Sequence, residues 1–223
     1  MKVVLTREPP RNDTLRKILE LAVDVVEIPA TETVYIPVAD VVAACRLTPR
    51  TVVVTSARAV AAATELIQAV APETVIAVGP TTASHLRERG VENVQTADDE
   101  GASALEGLTF SGPVVSVGAS STRPELGRLL EQRGLEAQHL SAYVTHGRTL
   151  SDSEINHLQE ADFVVVAAPS AWSVVGPHVA PRASVVARGA TTSSAVADSH
   201  HDVVVASSDT ATVATILGKL LEA

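Results

Sequence analysis

Aromatic residues make up only 2% of this 223-residue chain, so its cores must be filled by aliphatic side chains. The single cysteine, Cys45, excludes an intrachain disulfide and any paired-cysteine metal site. That usage suits a reducing cytoplasm. No apolar run approaches the roughly 18 residues of a membrane span. At the start, MKVVL meets Thr6-Arg7-Glu8 after three apolar residues, too few for a signal-peptide core. We therefore expect a soluble, cytoplasmic monomer with no membrane partner. No basic patch is interleaved with aromatics, and the net charge is -9, so nucleic acid is not an expected partner. Neither GxxxxGK[ST] nor GxGxxG occurs, so a nucleotide fingerprint is absent.

What is present is an apolar fraction of 46%, concentrated in Val, Ala, Leu and Ile. Short Val-rich runs suit parallel strands covered on both faces by helices. The clearest is TVVVTSARAV over 51–60: a buried strand, a hydroxyl pair Thr55-Ser56, then an Ala-rich helix. It returns 112 residues later as FVVVAAPSAW over 163–172. Backwards from there, Val3-Val4 matches Val114-Val115, Leu15 matches Leu126 and Ile28 matches Leu140. The chain holds an internal duplication.

Strand counting locates the halves. Residues 34–140 contain five expected strands, over 51–55, 74–78, 92–95, 113–117 and 136–140. Strands over 2–5 and 23–28 join three more over 162–167, 183–187 and 202–206. Helices fall between them, the first capped by Asn12 or Asp13 and a short one over 102–108. The expected architecture is α/β: two similar doubly wound parallel-sheet domains with a cleft between them. One domain is discontinuous, 1–29 with 146–223; 34–140 is inserted. The segments 30–33 and 141–145 are a pair of extended β-connectors lying side by side.

In an open α/β sheet, ligands bind beyond the carboxyl ends of the strands. Here nearly every strand ends in Gly, Ser or Thr and opens a helix: Thr6-Arg7, Thr55-Ser56, Gly79-Pro80-Thr81-Thr82, Gly118 to Thr122, Pro169-Ser170, Gly189 to Thr192 and Ser207 to Thr210. Ser and Thr cap helices in any case. Seven such corners together still make a surface of helix N-termini suited to anions. Arg7, Arg11, Arg58, Arg123 and Arg188 lie near strand ends, whereas acids collect on helices and in Asp98-Asp99-Glu100. The seven histidines show no metal spacing, and His200-His201 reads as surface. His146 reads as solvated and His85 as part of an exposed helical face.

The chain resembles the uroporphyrinogen-III synthase family over nearly its whole length. The resemblance rests on VLTRE, VVVTSARAV, AVGPTTASHLRERG, GASSTRPELGRLLEQRG, SAYVTH, PSAW and RGATTS, in that order. It implies two domains with paired connectors and a cofactor-free enzyme. The implied reaction takes linear hydroxymethylbilane, removes its terminal hydroxyl as water and closes the macrocycle to uroporphyrinogen III. The last pyrrole ring is inverted through a spiro intermediate, whereas uncatalysed closure leaves it uninverted. Tyr143 aligns with the family's connector tyrosine and is the implied general acid, a weak one as phenols are. By family position Arg7, Thr55, Ser56, Arg58, Thr82, Ser170 and Thr192 bind substrate carboxylates, much of the work falling to backbone N–H groups. Two departures stand out. Ala167-Ala168-Pro169-Ser170 lacks a hydroxyl found in the family's second-half corner, and Trp172 replaces a small aliphatic. The alternative is a non-catalytic two-domain protein that binds or senses a small anion.

Overall fold

The computed structural model describes residues 1–97, 105, 107–121, 124–200 and 202–222. The acidic run Asp98-Asp99-Glu100, most of the expected helix over 102–108, Thr122, Arg123 and His201 lie outside the described residues. Two compact units are present, residues 1–32 with 146–223 and residues 33–145.

The first unit is a five-stranded parallel sheet. Its strands are β1 (Lys2–Leu5), β2 (Asp24–Glu27), β9 (Phe163–Val166), β10 (Ser184–Ala187) and β11 (Val203–Val205), in the order β11-β10-β9-β1-β2. Alternation along β1 decides its packing. Val3 and Leu5 turn to one face with Phe163, Val165 and Val186, and meet Leu15 and Leu19 of α1 (Asp13–Leu19) and Ile216 of α9 (Asp209–Glu222). Val4 turns to the other with Val164, Val166 and Val185, against α6 (Asp152–Glu160), α7 (Pro169–Val175) and α8 (Ala190–Ala197). All of these strand residues are at most 4% exposed. Each fully buried Val or Leu contributes about 1.5–3 kcal/mol, which is how a core nearly free of aromatics is held.

The second unit carries six strands in the order β3-β8-β7-β4-β5-β6. They are β3 (Thr31–Tyr35), β4 (Thr51–Val54), β5 (Thr74–Val78), β6 (Val94–Ala97), β7 (Val114–Ala119) and β8 (Ala137–Gly147). The ladders from β8 through to β6 are parallel. On one face, α2 (Val38–Ala43), α3 (Val60–Val70) and α4 (Pro80–Glu88) cover Val52, Val54, Val75, Ala77, Val115 and Val117. On the other, Leu126 and Leu130 of α5 (Pro124–Gln132) cover Val53, Ile76 and Val114.

Several local expectations change. The connector segment 30–33 leads from Thr31 into a sheet strand, β3, hydrogen-bonded to β8 as the paired connectors suggested, which gives this sheet six strands where five were expected. β8 itself runs eleven residues, merging the expected strand over 136–140 with the segment 141–145. The cause is that an extended chain of β-formers such as TETVY has backbone N–H and C=O groups that a neighbouring strand can satisfy. β6 begins two residues late because Asn93 takes a positive φ of 53°. Asn12 makes no side-chain cap on α1; its amide turns to the Arg7 carbonyl instead.

Among the described residues no helix is long and apolar enough to cross a membrane.

Candidate active site

Tyr143 owes its position to a bulge. Along β7 and β8 the register runs Val117 to Leu140 and Gly118 to Ser141, then jumps so that Ala119 pairs with Tyr143. Strand side chains alternate, so a one-residue slip reverses the face of every residue beyond it. Tyr143 accordingly packs on the same face as Leu140 and Ala142, in the cluster with α2, α3 and α4. The residue as a whole is 7% exposed. The hydroxyl makes no hydrogen bond among the described residues and is not a buried unpartnered atom, so it reaches solvent. The bulge is buttressed by His139, whose Nε2 lies 2.8 Å from the carbonyl of Ala119 and whose Nδ1 lies 2.9 Å from Ser116 Oγ. A carbonyl only accepts, so Nε2 carries the proton and Nδ1 accepts from Ser116.

Two further side chains frame that ring. The Arg58 guanidinium carbon lies 5.4 Å from the Tyr143 centroid, and Arg58 Nη1 donates to Thr145 Oγ1 at 3.4 Å. Tyr35 of β3 lies 6.2 Å away, centroid to centroid, at an interplanar angle of 51°. Residue-type reasoning passed over Tyr35. The available signal was that one of the chain's two tyrosines falls in the connector segment 141–145 and the other just beyond the segment 30–33.

The β4 corner is built from hydroxyls already engaged. Thr55 Oγ1 donates to Val117 O at 3.2 Å, and an added Cβ at Gly118 would collide with that hydroxyl oxygen. Gly118 is therefore what allows Thr55 to seat. Ser56 caps the short 3-10 turn over 57–59, its Oγ accepting from Arg58 N at 3.2 Å. Its own proton remains available to an anion, whereas that of Thr55 does not.

The duplicated Thr-Thr corners behave alike. Gly79 (φ 83°) and Gly189 (φ 148°) precede α4 and α8. Thr82 and Thr192 are both 4% exposed, turned inward, while Thr81 and Thr191 are exposed. What these corners offer outward is the helix N-terminus, whose first N–H groups have no intrahelical acceptor.

In the first unit, Arg7 and Arg188 converge on one carboxylate. Arg7 Nη2 lies 3.3 Å from Asp209 Oδ1, and Arg188 Nη1 donates to the same oxygen. Arg7 is steadied by Asn12, whose Oδ1 accepts from Nε at 3.2 Å and whose Nδ2 donates to the Arg7 carbonyl at 2.8 Å. Ser208 caps α9, its Oγ accepting from Ala211 N at 3.1 Å. Burial and the nearby Arg188 charge outweigh pairing with Asp209 and draw the Arg7 pKa down. Burial opposes ionisation of Asp209, but the two guanidiniums outweigh it and hold the carboxyl below its ordinary value. Two cations against one anion leave a net positive charge where strand ends meet a helix N-terminus. Asp209 is one exception to the sorting of acids away from strand ends, as is Glu27 at the end of β2.

The remaining residues are placed more simply. Ser170 is exposed in the first turn of α7, its carbonyl accepting from Ser173 Oγ at 2.8 Å. Trp172 is core, 6% exposed, with Nε1 donating to Ser199 Oγ at 3.1 Å. His200 is also core, contrary to its expected surface position: it is 7% exposed, edge-on to Trp172, with Nε2 donating to Ala183 O at 2.6 Å. A ring that satisfies a buried carbonyl tolerates burial. His85 and His146 are exposed. Of the expected site residues, the structure brings Tyr143 and Arg58 into contact and sets Arg7 beside Arg188. Thr55 stands beside Gly118, next to Tyr143's register partner Ala119. Among the described residues, no group of three or more His, Cys, Asp or Glu is arranged to hold a metal.

A family model described as uroporphyrinogen-III synthase HemD matches residues 12–218. The chain belongs to the uroporphyrinogen-III synthase family. Solved structures of similar fold include a mutant uroporphyrinogen III synthase from the extremely thermophilic bacterium Thermus thermophilus, with a TM-score of 0.68 at 18% identity, covering 100% of this chain and 99% of that one. Another is uroporphyrinogen-III synthetase from Helicobacter pylori, with a TM-score of 0.66 at 16% identity, covering 97% and 98%. At such identities these structures speak for the fold alone. No curated protein matches the chain significantly. Membership of the uroporphyrinogen-III synthase family makes the chain an enzyme of tetrapyrrole biosynthesis, a lyase acting by dehydration and ring closure.

Proposed function

We propose that this chain converts linear hydroxymethylbilane to uroporphyrinogen III, with loss of water and inversion of the last pyrrole ring. The observation that carries this reading is the family match over 12–218. It disfavours the alternative of a non-catalytic anion sensor. The reaction needs no redox partner, since one molecule loses water and closes, which suits a cofactor-free cytoplasmic monomer.

In this reading Tyr143 is the general acid. Its phenol reaches solvent from a buried ring, so the oxygen is presented in a defined direction to the departing hydroxyl. The carbon–oxygen bond breaks with both electrons on oxygen, the Tyr143 proton completes a water, and the pyrrole nitrogen lone pair stabilises the resulting cation. A carbon of the last pyrrole ring then attacks the exposed methylene carbon, by way of the spiro intermediate, to form the carbon–carbon bond that closes the macrocycle. Loss of the proton from that ring carbon, as the last ring regains aromaticity, restores the phenol. Substrate carboxylates are held by Arg58, by the net positive Arg7 and Arg188 group, by Ser56 and Ser170, and by the helix starts that bear Thr82 and Thr192. Thr55 helps to form the corner. Screening over about 8 Å at physiological salt lets these local charges outweigh the chain's net acidity.

The test is to supply hydroxymethylbilane generated in situ and resolve the product isomers. The inverted macrocycle in excess over the spontaneous product supports the reading. Only the uninverted isomer would refute it.

A further inference from the structure

Tyr35 is 59% exposed in a chain with only five Phe, Trp or Tyr residues. Its ring contributes little to a core, so packing gives no reason for an aromatic there. Yet it stands 6.2 Å from the ring of Tyr143. The two rings differ in what their faces meet. The Tyr143 face is engaged by the Arg58 guanidinium, whereas no cation lies over Tyr35 among the described residues, and it is not one of the residues with further contacts. An aromatic face carries negative electrostatic potential and attracts a cation placed over it.

We propose that Tyr35 is a further catalytic residue, whose ring face receives the cationic azafulvene ring formed when the substrate hydroxyl leaves. This rests on the function proposed above. The chemical logic is a division of labour between neighbours. Tyr143 supplies the proton that makes hydroxide into water, and the same bond cleavage leaves a positive charge on the substrate ring. Arg58 cannot stabilise that charge, being a cation itself, but it suits the carboxylate side chains of the same ring. Tyr35 is the adjacent group with electron density to offer. It acts on a charge that is absent in the ground state, so its effect falls on turnover more than on substrate affinity.

The experiment compares wild type with Tyr35→Phe and Tyr35→Leu, measuring kcat, KM and isomer ratio. Phe retains the face and loses the hydroxyl. Tyr35→Phe is expected to stay within about twofold of wild type. Tyr35→Leu is expected to lower kcat by about three- to thirtyfold, the range of a cation-π contact, with KM little changed and more uninverted product. An unchanged unfolding midpoint in both variants separates this from a structural defect; Tyr35→Met replaces the leucine variant should it fold poorly. Equal rates for wild type and Tyr35→Leu overturn the inference, as does a loss as large in Tyr35→Phe as in Tyr35→Leu. Those results leave the proposed function standing, because wild type still makes the inverted isomer. A wild-type protein that makes none defeats both.

Discussion

The Arg188 guanidinium donates to Oδ1 of Asp209, a residue 21 positions further along the chain. Arg7 reaches the same oxygen. Removing the carboxylate charge leaves two cations facing each other, so Asp209→Asn is expected to destabilise the first unit. The folded pKa of Asp209 lies below its ordinary value, so its stabilisation is complete above the unfolded value of about 3.9 and is lost as pH falls through the lower folded value. The gap in denaturation midpoint between wild type and Asp209→Asn should therefore be widest near neutrality and shrink below about pH 4. A gap independent of pH would contradict the pairing.

Tyr143→Phe should separate chemistry from stability. The hydroxyl makes no hydrogen bond among the described residues, so the unfolding free energy should move by no more than about 0.5 kcal/mol. Turnover should fall by about a hundredfold or more if the phenol is the general acid. Equal rates for the two proteins would reduce Tyr143 to a packing residue.

His139 holds the bulge that aims Tyr143, through the carbonyl of Ala119. His139→Ala should cost about 1 kcal/mol in stability from the lost hydrogen bond and lower kcat as the phenol drifts. In a Tyr143→Phe background the same substitution should add little to the loss of kcat. Additive losses in the double variant would place the effect of His139 elsewhere.

Gly118→Ala forces a Cβ into the space held by Thr55 Oγ1. We expect about 1–3 kcal/mol of destabilisation, the usual range for overpacking. Thr55→Ala removes the clashing oxygen, so the cost of Gly118→Ala should be clearly smaller in that background. A double-mutant cycle on chemical denaturation measures the coupling, and simple additivity would show that the clash is relieved by other means.

Much of the fold was legible because its signals are local. Val-rich runs, glycines that take positive φ at 79 and 189 and hydroxyls at helix starts announce strand-to-helix corners without reference to the rest of the chain. Residues whose role depends on a distant neighbour were less readable. Asn12 has the composition of a helix cap, yet Arg7 claims its side chain. His200 looks like surface until the Ala183 carbonyl and the Trp172 edge are brought to it. The extended segment that becomes β3 was legible from its β-formers, but that it joins the sheet as a sixth strand depends on β8, more than a hundred residues away.

The sequence by itself determined the duplicated α/β pattern, the helix starts that suit anions and the presence of one tyrosine in the connector segment 141–145 and another just beyond 30–33. Those features follow from periodicity and from the conformational preferences of single residues. Only the tertiary structure decided that a one-residue slip between β7 and β8 turns Tyr143 onto the face of Leu140 and Ala142, that Tyr35 comes to lie beside it, and that Arg7 and Arg188 share one carboxylate. Register and charge pairing are relations between segments far apart in the chain, and the free energy that selects them exists only once those segments are in contact.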